Sequence, residues 1–236
     1  MPLWGSKSFQ DSYYWVGEYL SLFYEGVMCL IVFIMSFVFY MMRWVLKKEK
    51  TSFRFLKENQ TVETIWTVIP SLCLVGVAVP SMHLLYLMDE IGSPSFSFKA
   101  IGHQWYWSYE FMGDEAEVLG FDSFMLTKWD YGYRLLDVDQ RMVAPSNVDI
   151  RCFVSSEDVI HSFAIPSCML KVDAIPGRIN EVPVNVCMSG VLYGQCSEIC
   201  GANHSFMPIV IEFITPKFYN RWLKSVKESS ELKLLS

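Results

Sequence analysis

Charged residues are scarce in this 236-residue sequence, and two long stretches have none. Only 19% of the residues are charged, while 52% are hydrophobic and 16% are aromatic. Such a composition excludes a disordered chain, because disorder requires low hydrophobicity and high charge. Internal repeats and low-complexity tracts are also missing, so the sequence does not indicate a repeat protein. The uneven distribution of the apolar residues instead indicates membrane segments.

Two uncharged runs are long enough to cross a bilayer. The first span is predicted at about 26–46, where Arg43 can extend its charge to the interface. The second is predicted at about 64–88, which holds no Lys, Arg, Asp or Glu. A buried pair of soluble helices is the alternative, but neither run has a polar stripe. Residues 1–90 are therefore predicted to form an N-terminal segment and a two-helix transmembrane hairpin.

The connection between the two spans predicts their orientation. Its basic residues are Arg43, Lys47, Lys48, Lys50, Arg54 and Lys57, and its acidic ones are Glu49, Glu58 and Glu63. Short loops rich in Lys and Arg stay on the cytoplasmic or matrix side. Both termini are therefore expected on the outer side. The first ten residues lack the signal-peptide pattern, so no removable leader is expected.

Short strand-like stretches replace the helical pattern after residue 90. Residues 96–101 and 148–154 alternate in polarity, and residues 209–214 are mostly β-branched and apolar except for Glu212. Turns rich in Gly and Pro separate these stretches. Residues 91–236 are predicted to form an antiparallel β-sandwich or barrel, followed by a helix that starts at Pro216.

Acidic residues exceed basic ones in this second part of the chain. Residues 89–236 contain 12 Lys+Arg and 19 Asp+Glu, and 12 − 19 gives a net charge of −7. The excess is either a solvated surface or a surface that attracts a basic partner. Charge alone leaves both interpretations open.

Soft metal ligands cluster near the C-terminus. The chain has seven cysteines, but only Cys196 and Cys200 lie close together, with His204 and Met207 directly after them. A second histidine, His161, lies upstream. Zinc sites with two Cys and two His usually have the two histidines close in sequence, and they have no use for a thioether. Thiolate, imidazole and thioether together favour copper, and two coppers bridged by two thiolates would use every donor.

The run GQCSEICGANHSFMP that contains this cluster resembles the dinuclear copper signature of cytochrome c oxidase subunit II. The likeness extends to GHQWYWSYE from Gly102, SSEDVIHS from Ser155, DAIPGR from Asp173 and VETIW from Val62. It covers about residues 60–215, and the two predicted spans agree with it. The resemblance implies a membrane-anchored, mainly β chain, in which the transmembrane hairpin precedes a cupredoxin-like Greek-key β-sandwich with a C-terminal helix at residues 91–236.

The resemblance also implies roles for single residues. The implied copper ligands are His161, Cys196, the Glu198 carbonyl, Cys200, His204 and Met207. The Glu198 carboxylate would help bind magnesium at the interface with the haem-copper subunit. Trp105 would be the electron entry, and Glu63 the proton entry at the matrix end of the second span. Structural roles stay open for both, since aromatic stretches are usually core and a boundary glutamate usually marks only the interface.

The implied activity is that of the electron-entry subunit of an oxidoreductase. It would take electrons from reduced cytochrome c and pass them to the haem-copper subunit, which reduces oxygen to water with proton pumping. Five carboxylates could steer the basic cytochrome: Glu110, Asp137, Asp139, Glu157 and Asp158.

The implied partners are cytochrome c, subunit I, other oxidase subunits and the lipid bilayer. The implied location is the mitochondrial inner membrane, with the copper domain in the intermembrane space, and no nucleic-acid partner is expected. Two alternatives remain. A quinol-oxidase subunit would lack the copper ligands, and a membrane-tethered copper-binding or copper-delivery protein would need neither Trp105 nor Glu63.

Overall fold

The computed structural model describes residues 5, 7–47, 57–90, 92–112, 118–127 and 132–234, with side chains to residue 227. Within these residues the helices are α1 (Trp15–Lys47), α2 (Gln60–Asp89) and α3 (Pro216–Leu234). The strands are β1 (Phe96–His103), β2 (Tyr106–Met112), β3 (Val118–Ser123), β4 (Met142–Pro145), β5 (Ile150–Ser156), β6 (His161–Ile165), β7 (Leu170–Ala174), β8 (Asn180–Val184), β9 (Gly190–Cys196) and β10 (Pro208–Ile214). Short 3₁₀ helices lie at Pro166–Cys168 and His204–Phe206.

The chain divides into two compact units. One comprises Tyr19–Met88, and the other comprises Met1–Glu18 together with Asp89–Ser236. The start of the chain packs with the β-strands because Tyr13 is hydrogen-bonded there. Its N–H donates to the Ser167 carbonyl (2.9 Å), and its carbonyl accepts from the Cys187 N–H (3.2 Å). Part of the predicted 1–90 segment therefore belongs structurally with the sandwich.

The helical unit contains both predicted spans. Helices α1 and α2 are long and apolar enough to cross a membrane, and 0% and 6% of their most apolar windows are buried. Helix α2 begins at Gln60 because Asn59 caps it, with the Asn59 Oδ1 accepting from the Val62 N–H at 3.2 Å. Outward-facing apolar side chains suit helices that lie in lipid. The basic connection lies partly outside the described residues, at positions 48–56.

The β unit is a sandwich of two five-stranded sheets. Their strand orders are β3-β2-β1-β5-β8 and β4-β10-β9-β6-β7. The antiparallel prediction is wrong for two pairings, because β1–β5 and β4–β10 are parallel. The chain crosses between the sheets after β3, β4, β5, β7 and β8, and these crossings bring strands that are distant in sequence side by side in the same direction.

Large apolar side chains fill the space between the sheets. Trp107, Tyr109 and Phe111 alternate into this core along β2 and are at most 2% exposed. Phe163 of the opposite sheet packs edge-on against Trp107, with ring centroids 5.2 Å apart. Helix α3 begins at Pro216 as predicted and covers one end of the sandwich. There the ring centroids of Trp222 and Phe111 are 5.4 Å apart. This packed core supports the loops that carry the candidate site.

Candidate metal centre

Three neighbouring strands bring the predicted metal ligands together. Strands β9 and β10 pair antiparallel, with Gln195 opposite Pro208, so residues 196–207 form a closed loop between them. That loop carries all of the predicted ligands except His161. His161 begins β6, which pairs with β9 through Phe163 and Cys196. The pairing of β6 with β9 therefore places the upstream histidine beside the loop.

The two cysteines lie at the middle of the cluster, with one imidazole on each side. The Cys196 Sγ is 4.0 Å from the Cys200 Sγ and 3.9 Å from the His161 Nδ1. The Cys200 Sγ is 3.5 Å from the His204 Nδ1 and 3.5 Å from the Met207 Sδ. Ligands that bind one metal at about 2.0–2.3 Å lie roughly 3–4 Å from one another. The spacing of these donor atoms therefore suits a metal centre.

The Glu198 carbonyl completes the donor set. Its oxygen is 3.3 Å from the Cys196 Sγ. His161 is fully buried, and Cys196, Cys200 and Met207 are each at most 7% exposed. His204 is only half-buried, so the cluster meets the surface there. The structure thus gathers all six predicted donors in a largely buried pocket with soft sulfur and imidazole ligands.

Burial and close contacts shift the pKa values of the two thiols in opposite directions. Burial by itself would raise the pKa of Cys196, but hydrogen bonds with His161 and the backbone at Ser162 and Glu198 lower this pKa to about 7. Burial and the neighbouring Cys196 charge raise the pKa of Cys200 to about 12. Metal binding requires thiolates, so a metal must displace a proton from Cys200 as it binds.

Asp158 orients His161. Its Oδ1 is 2.9 Å from the His161 Nε2, and this contact directs Nδ1 towards Cys196. Although burial would lower the pKa of His161, the contacts with Cys196 and Asp158 raise it. The Asp158 carboxylate also accepts from the Gln104 N–H (2.6 Å) and the Val159 N–H (2.6 Å). Carboxylates commonly fix metal-binding imidazoles in this way.

From the sequence, Asp158 was predicted only as a steering carboxylate, and its contact with His161 was not predicted. The three-residue spacing to His161 was the available signal.

Trp105 lies against the metal loop. Its Nε1 is 3.4 Å from the Cys200 carbonyl oxygen, which also accepts from the Gln104 Nε2 at 2.8 Å. Gly201 has φ +127°, and a Cβ at this position would lie 3.0 Å from the Trp105 ring. The loop can approach the indole closely because this residue is a glycine. The structure thus brings the predicted electron-entry residue to the cluster.

Glu63 belongs to the helical unit and contributes to the capping of α2. Its Oε1 accepts a long hydrogen bond from the Asn59 N–H (3.4 Å). A carboxylate in the first turn is also favoured by the helix dipole. Glu63 therefore has a capping role at the start of α2, and its part in proton entry stays a prediction.

The predicted steering carboxylates have different surroundings. Asp137 is buried and pairs with Arg141 at 3.2 Å, so the steering prediction is wrong for this residue. Glu110 pairs with Lys99 at 3.1 Å. The Glu157 side chain, by contrast, is 74% exposed.

Fold and site together define a class of protein: a membrane-anchored copper protein with a cupredoxin-like domain. The sequence matches the family model described as cytochrome c oxidase subunit II, periplasmic domain, over residues 96–214. It matches the transmembrane domain of the same subunit over residues 2–84. The chain belongs to the cytochrome c oxidase subunit II family, and it is therefore part of a haem-copper oxidoreductase complex. Membership also implies that its metal centre holds copper.

Known relatives are similar to this chain over nearly its whole length. Cytochrome c oxidase subunit 2 of Mytilus edulis is 47% identical and covers 96% of this chain and 100% of that relative. The Periplaneta americana subunit is 48% identical, covering 94% of this chain and 98% of that relative. The crystal structure of the periplasmic domain of subunit II of Bradyrhizobium japonicum cytochrome oxidase matches with a TM-score of 0.55 and 43% identity. It covers 59% of this chain and 99% of that one.

Proposed function

We propose that this chain accepts electrons from reduced cytochrome c at a dinuclear copper centre and delivers them to the haem-copper subunit, where oxygen is reduced to water with proton pumping. The observation that carries the proposal is the pair of thiols 4.0 Å apart, with His161 beside Cys196 and His204 beside Cys200. A mononuclear copper site needs only one thiolate, so two thiolates with one imidazole each support two coppers.

Each donor then has a defined task. Cys196 and Cys200 would bridge the two coppers, and His161 and His204 would each bind one of them. Met207 and the Glu198 carbonyl would be weak ligands that tune the site. When bound, the copper pair would supply a one-electron carrier whose charge is shared over two ions. The buried pocket and the Asp158–His161 contact would hold the ligands in one geometry for both oxidation states.

Electron entry is proposed at Trp105. The half-buried indole packs on the core and donates towards the Cys200 carbonyl, which belongs to a proposed copper ligand. An electron arriving at the ring would therefore cross one hydrogen bond and a few covalent bonds to reach the sulfur.

Glu198 is proposed to serve two sites through two different groups. Its carbonyl faces Cys196, while its carboxylate would join a magnesium ion at the interface with the haem-copper subunit, since magnesium prefers oxygen ligands.

The proposed location is the mitochondrial inner membrane, with both termini and the copper domain in the intermembrane space. The basic connection between α1 and α2 supports this orientation. Glu63 at the start of α2 would then be on the matrix side, where a boundary carboxylate can exchange protons with water and with a buried polar path.

The test is metal analysis of the purified oxidase complex with this chain and with its Cys196→Ser variant. The variant should contain two coppers fewer per complex and should lose the near-infrared absorption of a mixed-valence pair. Cys187→Ser, which changes an exposed cysteine outside the donor set, is the matched control and should leave both measurements unchanged. A difference of one copper would contradict the dinuclear proposal. A membrane-tethered copper-delivery protein would bind copper without oxidising cytochrome c.

A further inference from the structure

His103, at the end of β1, is held on three sides. Its Nδ1 is 3.0 Å from the Glu157 Oε2, and its Nε2 is 2.8 Å from the Ser108 Oγ. The ring also stacks on Tyr106, with centroids 4.5 Å apart and an interplanar angle of 6°. The histidine side chain is only 13% exposed, whereas its carboxylate partner is 74% exposed. Packing therefore fixes the histidine side of this contact, whereas the carboxylate lies at the surface.

These contacts satisfy both protonation states of the ring. The Glu157 carboxylate is 3.0 Å from Nδ1 and has no proton to donate, so we place the ring proton of the neutral state on Nδ1. The Ser108 hydroxyl donates to Nε2 when the ring is neutral, and it can rotate to accept from Nε2 when the ring is charged. Protonation thus changes the local charge by one unit without moving a heavy atom. Histidine is the side chain that ordinarily makes this change between about pH 5 and 8.

The charged groups described around His103 are acidic. Glu157 contacts the ring, Asp158 follows in the same loop, and Asp122 of β3 lies opposite Ser108 in the register. Burial and these three carboxylates together raise the pKa of Tyr106, the stacking partner. A positive charge on His103 would therefore offset part of a negative surface.

This acidic surface adjoins the proposed electron entry. The Glu157 N–H donates to the Gly102 carbonyl (3.2 Å), and Asp158 accepts from the Gln104 N–H, the residue before Trp105. Glu157, with a side chain that is 74% exposed, is therefore a negative charge that a basic cytochrome can contact near the indole. Charges at the rim of an interface act mainly on association and less on the steps that follow.

We propose that His103 is a positioning residue that holds Glu157 for the cytochrome and, when protonated, cancels its charge and weakens docking. The proposal rests on the proposed function, because it requires a basic electron donor at this surface. It makes docking sensitive to the pH of the outer compartment, while the metal cluster itself stays out of contact with the titrating ring. Acidification would raise the KM for cytochrome c.

The experiment compares the intact oxidase with its His103→Asn variant at low ionic strength. The asparagine amide can place an N–H beside Glu157, where the Nδ1 of His103 lies 3.0 Å from the carboxylate, but it does not titrate. For the unmodified enzyme, KM for cytochrome c should rise about two- to fivefold between pH 8 and pH 5.5 beyond any change in the variant, the usual size of one exposed charge. The difference should lie in KM, because kcat depends on later steps.

Two further variants make the test specific. Glu157→Gln should raise KM at pH 8. It should also remove most of the pH dependence of KM that the unmodified enzyme shows. Glu181→Gln removes an exposed carboxylate on β8 that pairs with Arg151, and it should keep the pH profile of the unmodified enzyme. Unchanged copper absorption in every variant would show that the metal centre is intact. Should His103→Asn fail to assemble, the Glu157→Gln profile and the salt dependence of KM at both pH values still test the proposal.

The outcomes distinguish the role of His103 from the proposed function of the chain. An active, copper-containing oxidase with the same KM profile in the unmodified enzyme and in His103→Asn would overturn the role of His103 alone. Equal changes in kcat and KM would mark His103 as a structural residue and also overturn it. An enzyme that contains no copper or does not oxidise cytochrome c would instead overturn the proposed function.

Discussion

The two units of this chain bury their apolar residues in opposite ways. In the helical unit the apolar side chains of α1 and α2 face outward, and at most 6% of their most apolar windows are buried. In the β unit the largest apolar side chains, such as Trp107 and Tyr109, are fully buried between two sheets. The helices therefore need lipid or partner subunits to cover them, whereas the sandwich has a core of its own.

This difference explains where the metal ligands lie. Close-packed side chains restrict the movement of the loops they support, and a metal site requires donors held within tenths of an ångström. The sandwich supplies such support, while a lone pair of helices does not. Substitutions in the two units should therefore separate copper chemistry from membrane chemistry.

The largest effect is expected for Cys196 and Cys200 of the β unit, which we propose as the bridging ligands. Cys196→Ser and Cys200→Ser should each abolish the copper centre, because a hydroxyl cannot replace a bridging thiolate. Copper content and near-infrared absorption of the purified complex measure the loss. A variant that keeps both coppers would show that the cysteine in question is not a bridging ligand.

The second largest effect is expected on the rate of electron entry. Trp105→Phe removes the indole N–H that is 3.4 Å from the Cys200 carbonyl but keeps an aromatic ring. We expect stopped-flow oxidation of cytochrome c to slow by about tenfold or more, equivalent to about 1.4 kcal/mol of activation free energy, with binding nearly unchanged. Equal losses of binding and transfer would mark Trp105 as a packing residue.

Glu63 tests the helical side of the comparison. Glu63→Gln keeps the shape of the side chain and removes its titration, so steady-state turnover should slow severalfold while copper content and the first electron transfer stay normal. The matched control is Glu58→Gln, which removes a carboxylate just before α2. Loss of the copper signal, or full turnover at every pH, would leave Glu63 with its capping role only.

A milder change is expected at Met207, which we propose as a weak ligand. Met207→Leu conserves volume at a fully buried position and should cost less than about 1.5 kcal/mol of folding stability. Both coppers should remain, while the redox potential and the absorption spectrum shift, because axial ligands tune a copper site more than they hold it. Redox titration measures the shift, and a variant without copper would show that Met207 is a required ligand.

The smallest effect concerns cysteines outside the site. Burial raises the pKa of Cys152, and it raises the pKa of Cys168 to about 12, so neither thiol ionises at pH 8 in the folded domain. A thiol-alkylating reagent should modify the exposed Cys187 and leave these two unmodified, as read by peptide mass spectrometry. Both should react after unfolding. Rapid modification in the folded protein would contradict the packed core.

Local patterns in the sequence were enough to predict the helix pair, the closing helix at Pro216 and the grouping of the soft donors. Runs of apolar residues and a dense motif such as 196–207 carry this information within a few turns of chain. The parallel pairings β1–β5 and β4–β10 were not predictable in this way, since they depend on where the chain crosses between sheets. Pairing between distant strands leaves no signature in local periodicity.

The same limit applies to single charges. Asp137 looked like a steering carboxylate, but tertiary packing buries it beside Arg141. Asp158 looked like another, yet folding brings it to His161 and to the backbone before Trp105. The sequence shows that a residue is acidic, and only the fold shows which groups it faces.

The ligand loop between β9 and β10 links metal binding to the completion of the fold. Five of the six proposed donors lie within residues 196–207, but His161 arrives only when β6 docks on β9. A chain in which β9 and β10 have paired but β6 has not yet docked would offer an incomplete set of ligands. Since a ligand that binds only the folded state stabilises that state, copper would lock β6 in place and raise the barrier to opening the sandwich. Copper retention would then serve as a readout of how completely a newly made subunit has folded.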